Sequence, residues 1–489
     1  MAGVCSQQDG ICESGRRYTP FAGGLANECV APEHEMAGSS TGHEPDGPDT
    51  TIPLPGSTGA DDEGDAGDTA GDDLPPQAET TGGTFDFEFV DQNAADFAEG
   101  TMAGVRFDDG LRLGNEGTQG LYTSQVFDAG EPVYWNSLRW TPRAPYAKPL
   151  PDGAATETGY TTGAADMQDN VLLLHFEDAS SFSPGEFVHD GSGRDHAVQL
   201  LGATSAATTP SGAAGRALAL SPSNYVEIET GSNDDFQFAE GDFTWSMWAR
   251  TNASCAQAGG GSSSNQVFMG VDADVESGGA HMWLGCFNPA DGACGQTSGL
   301  GRLGGTFTAD QGDGLGQFCA GPELVDGQWH HLAVVKLGHQ PATLSVLFDG
   351  ALIQTSLVDY ALPLSFDPAE PLRLGRLGDG YRATADIDEV AVFRRALTMD
   401  EIEDLYLRGA LQLEFQVRAC DSPTCADTDF SGPDEDPDAT YRDGPDGTVA
   451  GLESRYGRYF QYSARLSRPS ATLPRGVVLD AVRVTATAE

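Results

Sequence analysis

The stretch Asp386-Ile-Asp-Glu-Val-Ala-Val-Phe-Arg-Arg-Ala-Leu-Thr-Met-Asp-Glu401 changes character in its middle. Its first half, from Glu389 to Phe393, is apolar and β-branched, as a buried strand requires. Its second half starts a helix. Thr398-Met-Asp-Glu401 is a capping box, in which the Thr398 side chain accepts from the third helical N–H while Glu401 reaches back to the Thr398 backbone. Ile402, Leu405 and Tyr406 then fall on one helical face, and Gly409 is expected to stop the helix. No other segment reads as persuasively helical.

Upstream the pattern is strand after short strand, separated by Gly, Asp and Ser turns. Val171–Phe176, Ala217–Leu220, Tyr225–Glu229, Phe243–Arg250, Val267–Val271, His281–Phe287, His331–Lys336, Thr343–Phe348 and Leu372–Leu374 are the clearest. Many short strands with regular turn signals predict an all-β sandwich or barrel. Within Phe243–Arg250, alternation places Phe243, Trp245 and Met247 on one face and Thr244, Ser246 and Trp248 on the other. With the first face in the core, Trp248 becomes the candidate for stacking on a ligand ring. His330 and His331 alternate across their strand and cannot chelate one metal together.

The order of these pieces resembles the laminin-G-like jellyroll of the concanavalin A-like lectin/glucanase superfamily, found in secreted bacterial and animal proteins. The resemblance is carried by Val171-Leu-Leu-Leu-His-Phe176, Asp190-Gly-Ser-Gly193, Tyr225-Val-Glu-Ile228, Gly241-Asp-Phe-Thr-Trp-Ser-Met-Trp248, Gly327-Gln-Trp-His-His-Leu-Ala-Val-Val335, Phe348-Asp-Gly350, Leu372-Arg-Leu-Gly375 and the run from Asp386 into the helix. It implies a jellyroll domain over residues 165–409. It also implies a structural calcium ion at a sandwich edge, for which Asp190 and Asp388 are the candidate ligands. Related hydrolases carry a Glu-x-Asp-x-Glu strand, which places alternate acids on one sheet face, because glycosidic cleavage needs two carboxyl groups flanking the scissile bond. Here Asp386-Ile-Asp-Glu389 puts Glu389 one residue out of phase, expected on the opposite face, so no catalytic residue is assigned.

The flanks repeat the strand pattern but are incomplete. Residues 84–150 and 410–489 each hold too few strands to close a sandwich. Joined, they make one discontinuous β-sandwich, with the jellyroll inserted into a loop. Tyr122-Thr-Ser-Gln-Val-Phe-Asp128, Trp135-Asn-Ser-Leu-Arg-Trp140, Phe415-Gln-Val-Arg-Ala-Cys420 and Arg458-Tyr-Phe-Gln-Tyr462 resemble segments that surround such jellyrolls in bacterial surface proteins.

The rest of the chain speaks to compartment and partner. Residues 1–33 are a cysteine-containing stub, and 34–83 are rich in Gly, Thr, Asp and Pro, predicting a disordered acidic linker. Asp and Glu outnumber Lys and Arg by 74 to 26, a net charge of −48 that disfavours nucleic acid and anionic membrane as partners. No apolar run is long enough for a membrane-spanning helix, so no membrane insertion is expected. The first residues lack a signal peptide's apolar core, and an export signal is expected upstream.

Nine cysteines fall into local groups in loop-like sequence, which suits disulfides in an oxidising compartment. Cys255, Cys286, Cys294 and Cys319 allow three pairings, and Cys420 with Cys425 can close a small loop. Together these features predict an extracellular or cell-surface binding or adhesion protein, non-catalytic, whose ligand is a glycan or a surface protein. A structural spacer or scaffold is the alternative, and a polysaccharide-degrading enzyme or its accessory module comes third.

Overall fold

The computed structural model describes residues 6–8 and 16–18 and, between 87 and 488, all except 210–211, 230–234, 237, 239–240, 256–264, 273–280, 289–293, 295–298, 309–313, 340, 359–370, 379, 443–448 and 474. Ser6–Gln8 and Arg16–Tyr18 form an antiparallel pair within a first unit, residues 1–81. The linker expected over 34–83 lies outside the described residues. Everything below concerns the second unit, residues 82–489.

Its centre is a jellyroll of two antiparallel sheets. One runs in the order Ser181–Phe182, Ala206–Thr209, Ala217–Leu220, Ala385–Phe393, Phe243–Arg250, His330–Leu337, Ala342–Phe348 and Ala351–Val358, with Asn170–Leu174 also paired to Ala385–Phe393. The other runs Val198–Gly202, Asn224–Ile228, Leu372–Leu374, Gln266–Asp272, His281–Phe287, Arg302–Thr308 and Gly314–Glu323. Between them lies a core that includes Phe243, Trp245 and Met247, the face assigned inward by alternation. First and last strands of the domain are neighbours: Leu173 sits opposite Ala391.

The flanking segments share one nine-stranded sheet. Phe127–Pro142, from before the jellyroll, lies between Val449–Ser467 and Val478–Ala488, from after it. Phe87–Asp91 pairs with Val478–Ala488, and Gln412–Cys420 with Val449–Ser467. Trp135, Trp140, Phe415, Phe460 and Tyr462 fill its core. The jellyroll is therefore inserted into a second, discontinuous sandwich. Its two ends meet: Ala147 N–H donates to the carbonyl of Arg408 at 2.7 Å. That closeness is what lets a host fold accept a guest.

The Met399–Ala410 helix carries the expected capping box, with Thr398 Oγ1 accepting from Glu401 N–H and Glu401 accepting from Thr398 N–H at 2.8 Å. Gly409 is not the stop. The helix continues through Ala410, and a Cβ on Gly409 would come within 2.6 Å of the Trp248 ring. The glycine serves close packing between helix and sheet. Among the described residues three disulfides join Cys255 to Cys286, Cys294 to Cys319, and Cys420 to Cys425.

Gly409→Ala should therefore destabilise the protein although alanine is the better helix former by about 1 kcal/mol. Overpacking against Trp248 costs roughly 1–3 kcal/mol, and denaturant titration should show a net loss. Replacing Cys255 and Cys286 together by Ser should lower stability by roughly 3–4 kcal/mol, from the loop their bond closes in the unfolded chain. A midpoint unchanged in urea would contradict it.

Candidate functional site

The residues that join host to guest, about 143–170, run as a strap across the outer face of the jellyroll. Arg408, buried on the helix, holds the strap. Its Nε donates to the carbonyl of Lys148 at 2.7 Å, and its Nη2 to that of Pro149 at 2.6 Å. Its two terminal nitrogens also reach the Glu157 carboxylate at 2.8 and 2.9 Å. Lys148 Nζ lies 3.2 Å from the same carboxylate. Burial alone would raise the Glu157 pKa, but the two cations and their hydrogen bonds hold it below the usual range.

The strap presses onto the strand Ala385–Phe393. Ser246 pairs with Ala391 and Trp248 with Asp388, so Ala385–Phe393 carries one extra residue there, a β-bulge. Glu389 occupies it with φ +47°. Ile387 and Val390 both point into the jellyroll core, leaving Asp388 and Glu389 together on the outer side. The expectation that Glu389 faces opposite to Asp388 thus fails, because strand parity is reset by one inserted residue.

The two acids are sealed in. Glu389 Oε2 accepts from Leu150 N–H of the strap at 2.6 Å, and Glu389 Oε1 lies 2.5 Å from His175 Nδ1. Asp388 accepts from the backbone N–H of Ala214 at 3.1 Å and of Glu389 at 2.9 Å. Complete burial, with Glu389 and Glu177 nearby, keeps the Asp388 carboxyl well above the usual carboxylate range. His175 bridges outward, its Nε2 being 3.2 Å from Asp152 on the strap. Burial pushes the imidazole down, but Glu389 and Asp152 outweigh it and lift its pKa to about 10. Phe176, next along, is buried with φ +63°, a strained conformation for a bulky residue.

Beside this lattice opens a cleft of about 390 Å³, walled by Lys148, Asp152, Phe176, Glu177, Asp178 and His189. Desolvation raises the Glu177 pKa, against a hydrogen bond from Arg216 N–H at 2.5 Å. A concave site at a domain junction with perturbed acids and strained backbone has the hallmarks of a ligand site. His175, Asp152 and Glu177 were not singled out from sequence. The one available signal was His175, a polar residue closing the otherwise apolar run Val171–Phe176.

The residues that were singled out lie elsewhere or act otherwise. Trp248 is only 4% exposed. Its ring stacks on Tyr406 at 5.8 Å and sits 5.3 Å from His331, so it has no face for a sugar. It packs with the core of the flanking sandwich, not that of the jellyroll, and so ties the two together. His331 is buried as a neutral ring, its pKa pushed down to about 3 by desolvation, 2.9 Å from Ser246 Oγ.

Asp190 and Asp388 do not fit a calcium site. A carboxylate offers about four lone-pair positions, and Asp190 already accepts four hydrogen bonds. They come from Leu173 N–H, Ser192 N–H, His196 N–H and, at 2.7 Å, His196 Nδ1. Asp388 has its own backbone donors, and burial beside Glu389 disfavours its charged form. Among the described residues no group of three or more His, Cys, Asp or Glu side chains is placed to hold a metal ion.

The His175 latch has a pH signature. Its folded-state pKa of about 10 stands above the ordinary 6.5, so its contribution to stability is complete below pH 6.5 and fades as pH rises toward 10. Melting temperature should fall across that window in the parent protein. The fall should be smaller in His175→Gln; parallel curves would show that the latch carries no charge.

Residues 221–403 match the family model described as the concanavalin A-like lectin/glucanases superfamily. No curated protein matches the chain. Among solved structures, domain 4 of AbnA, a GH43 extracellular arabinanase from Geobacillus stearothermophilus in complex with arabinotriose, is 15% identical with a TM-score of 0.34, over 49% of this chain and 98% of that domain. The binding domain of Paraclostridial Mosquitocidal Protein 1 is 15% identical with a TM-score of 0.34, over 51% of this chain. The binding domain of botulinum neurotoxin DC in complex with SialylT is 13% identical with a TM-score of 0.34, also over 51%. This chain spans 57% of each of the last two. The inserted jellyroll, with its two packed sheets and the family match across 221–403, is a laminin-G-like domain of the concanavalin A-like superfamily.

Proposed function

We propose that this chain is an extracellular, non-catalytic binding protein and that its ligand is a glycan held in the cleft beside His175. The cleft carries the reading. It is preformed, because Arg408, Leu150 and His175 fix its wall without a ligand. Its polar groups suit sugar hydroxyls: Asp152, Glu177 and Asp178 accept, and Lys148 donates. Pro151, half-buried at the cleft, offers apolar surface for the C–H face of a ring.

Catalysis is disfavoured by the same geometry. The paired acids Asp388 and Glu389 are 0% and 5% exposed and spend their oxygens on backbone and histidine partners. A scissile bond needs carboxyls that can reach it. The disulfides among the described residues favour an oxidising, extracellular setting.

A glycan array probed with and without EDTA tests the proposal. Binding to neutral glycans should appear and be indifferent to EDTA. Glu177→Ala should weaken it by about tenfold, the worth of roughly 1.4 kcal/mol in charge-assisted hydrogen bonding. Silence across neutral glycans would overturn the cleft as a sugar site, and release of reducing ends from any bound polysaccharide would overturn the non-catalytic reading.

A further inference from the structure

The flanking sandwich presents a second surface, remote in sequence and composition from the cleft. Along Phe127–Pro142 the residues Val133, Trp135, Leu138 and Trp140 face the core. Ser137 and Trp135 pair with the consecutive residues Thr485 and Ala486, so Asn136 is the extra residue of a bulge. Tyr134, Asn136, Ser137 and Arg139 are thereby all turned outward on a central strand.

We propose that this outward face binds an acidic oligosaccharide, one bearing uronate or sulfate groups, in a lane running from Tyr134 to Arg139. At one end Tyr134 and Tyr456 are cross-strand partners with rings 4.8 Å apart, 42% and 44% exposed. Two half-open aromatic rings on central strands make a platform for the C–H face of a pyranose. Next come hydroxyl and amide groups: Asn136 Nδ2 donates to Thr487 Oγ1 at 3.1 Å, and Ser137 and Thr485 hydroxyls are 2.7 Å apart. Opposite Ser137 stands Gly451, where a Cβ would meet nothing within 4 Å, so that position is open.

At the far end Arg139 lies directly across from Arg483. Like charges in that position destabilise a ladder unless an anion joins them. Glu88 neutralises Arg483, whereas Arg139 is exposed and has no acidic partner among the described residues. Arg458, beyond the tyrosines, is already taken by Asp128. A guanidinium offers a carboxylate or sulfate a two-point hydrogen bond. Tyr134 and Arg139 are five residues apart, roughly 15 Å along a strand, the reach of a short oligosaccharide. The net charge of −48 opposes polyanions only at long range. With a screening length of about 8 Å at physiological ionic strength, the local charge of Arg139 decides.

Calorimetric titration of the full chain with oligogalacturonate, its methyl ester and dextran sulfate tests this lane. At least one of the two anionic probes should bind, with the neutral ester tenfold or more weaker, and binding should weaken with salt. Arg139→Gln should remove the preference for acid over ester, while Tyr134→Ala should weaken binding at least fivefold and Tyr134→Phe should leave it intact. These side chains are exposed, so the variants should keep the parental melting temperature. Failure of both anionic probes, equal binding of acid and ester, or an Arg139→Gln variant with unchanged preference would overturn the proposal. Glu177→Ala in the cleft should have no effect here; loss of anionic binding in that variant would move the ligand to the cleft and overturn the lane.

Discussion

One side chain organises the seam between host and guest: Arg408, 3% exposed near the end of the helix. Its five N–H groups have a fixed fork geometry, and here they meet two strap carbonyls and both oxygens of Glu157. A buried ion pair adds little net stability, because desolvation offsets its attraction. Its geometry is another matter. Pinning the carbonyls of Lys148 and Pro149 sets the height of the strap, so that Leu150 N–H meets Glu389 and Asp152 meets His175. The cleft wall follows from that placement. A lysine at 408 would keep the charge and lose the fork.

Much of this fold was legible beforehand, and the reasons are local. The capping box at Thr398 is set by contacts between residues three apart, and alternation in Phe243–Arg250 sorts core from outer face by parity alone. The outer assignments failed for equally physical reasons. Trp248 does face away from the jellyroll core, but what covers it is Tyr406 and Gly409, some 160 positions along the chain. Nothing near Trp248 in sequence announces a helix above it. Gly409 was read by the same rule that serves most helix ends, whereas here a close approach of backbone to indole demands it.

The bulge at Glu389 is the instructive case. A single inserted residue turns two acids that parity separates into neighbours on one side of a sheet. Such a pair could have served chemistry, and its raised Asp388 pKa resembles that of a general acid. Surroundings decide otherwise. Each oxygen is met by a backbone N–H or an imidazole, and the strap lies over them. Asp190 tells the same story at the other candidate position, where four donors occupy the lone pairs that a calcium ion would need. Carboxylates here are fasteners for loops.

Insertion explains why the fasteners gather where they do. A guest domain joined at both ends to one host must cross the seam twice, and both crossings here pass within a hydrogen bond of each other at Ala147 and Arg408. Backbone at such a crossing leaves both regular sheets and needs partners for its N–H groups. Buried carboxylates at a bulge are well suited to supply them, since each offers more acceptor sites than a carbonyl. Between the strap at Lys148–Asp152 and the strand end at His175–Asp178 the packing is incomplete. The space left over is the cleft. Its polar lining and its position thus have one origin, the need to satisfy a strap that belongs to neither sheet.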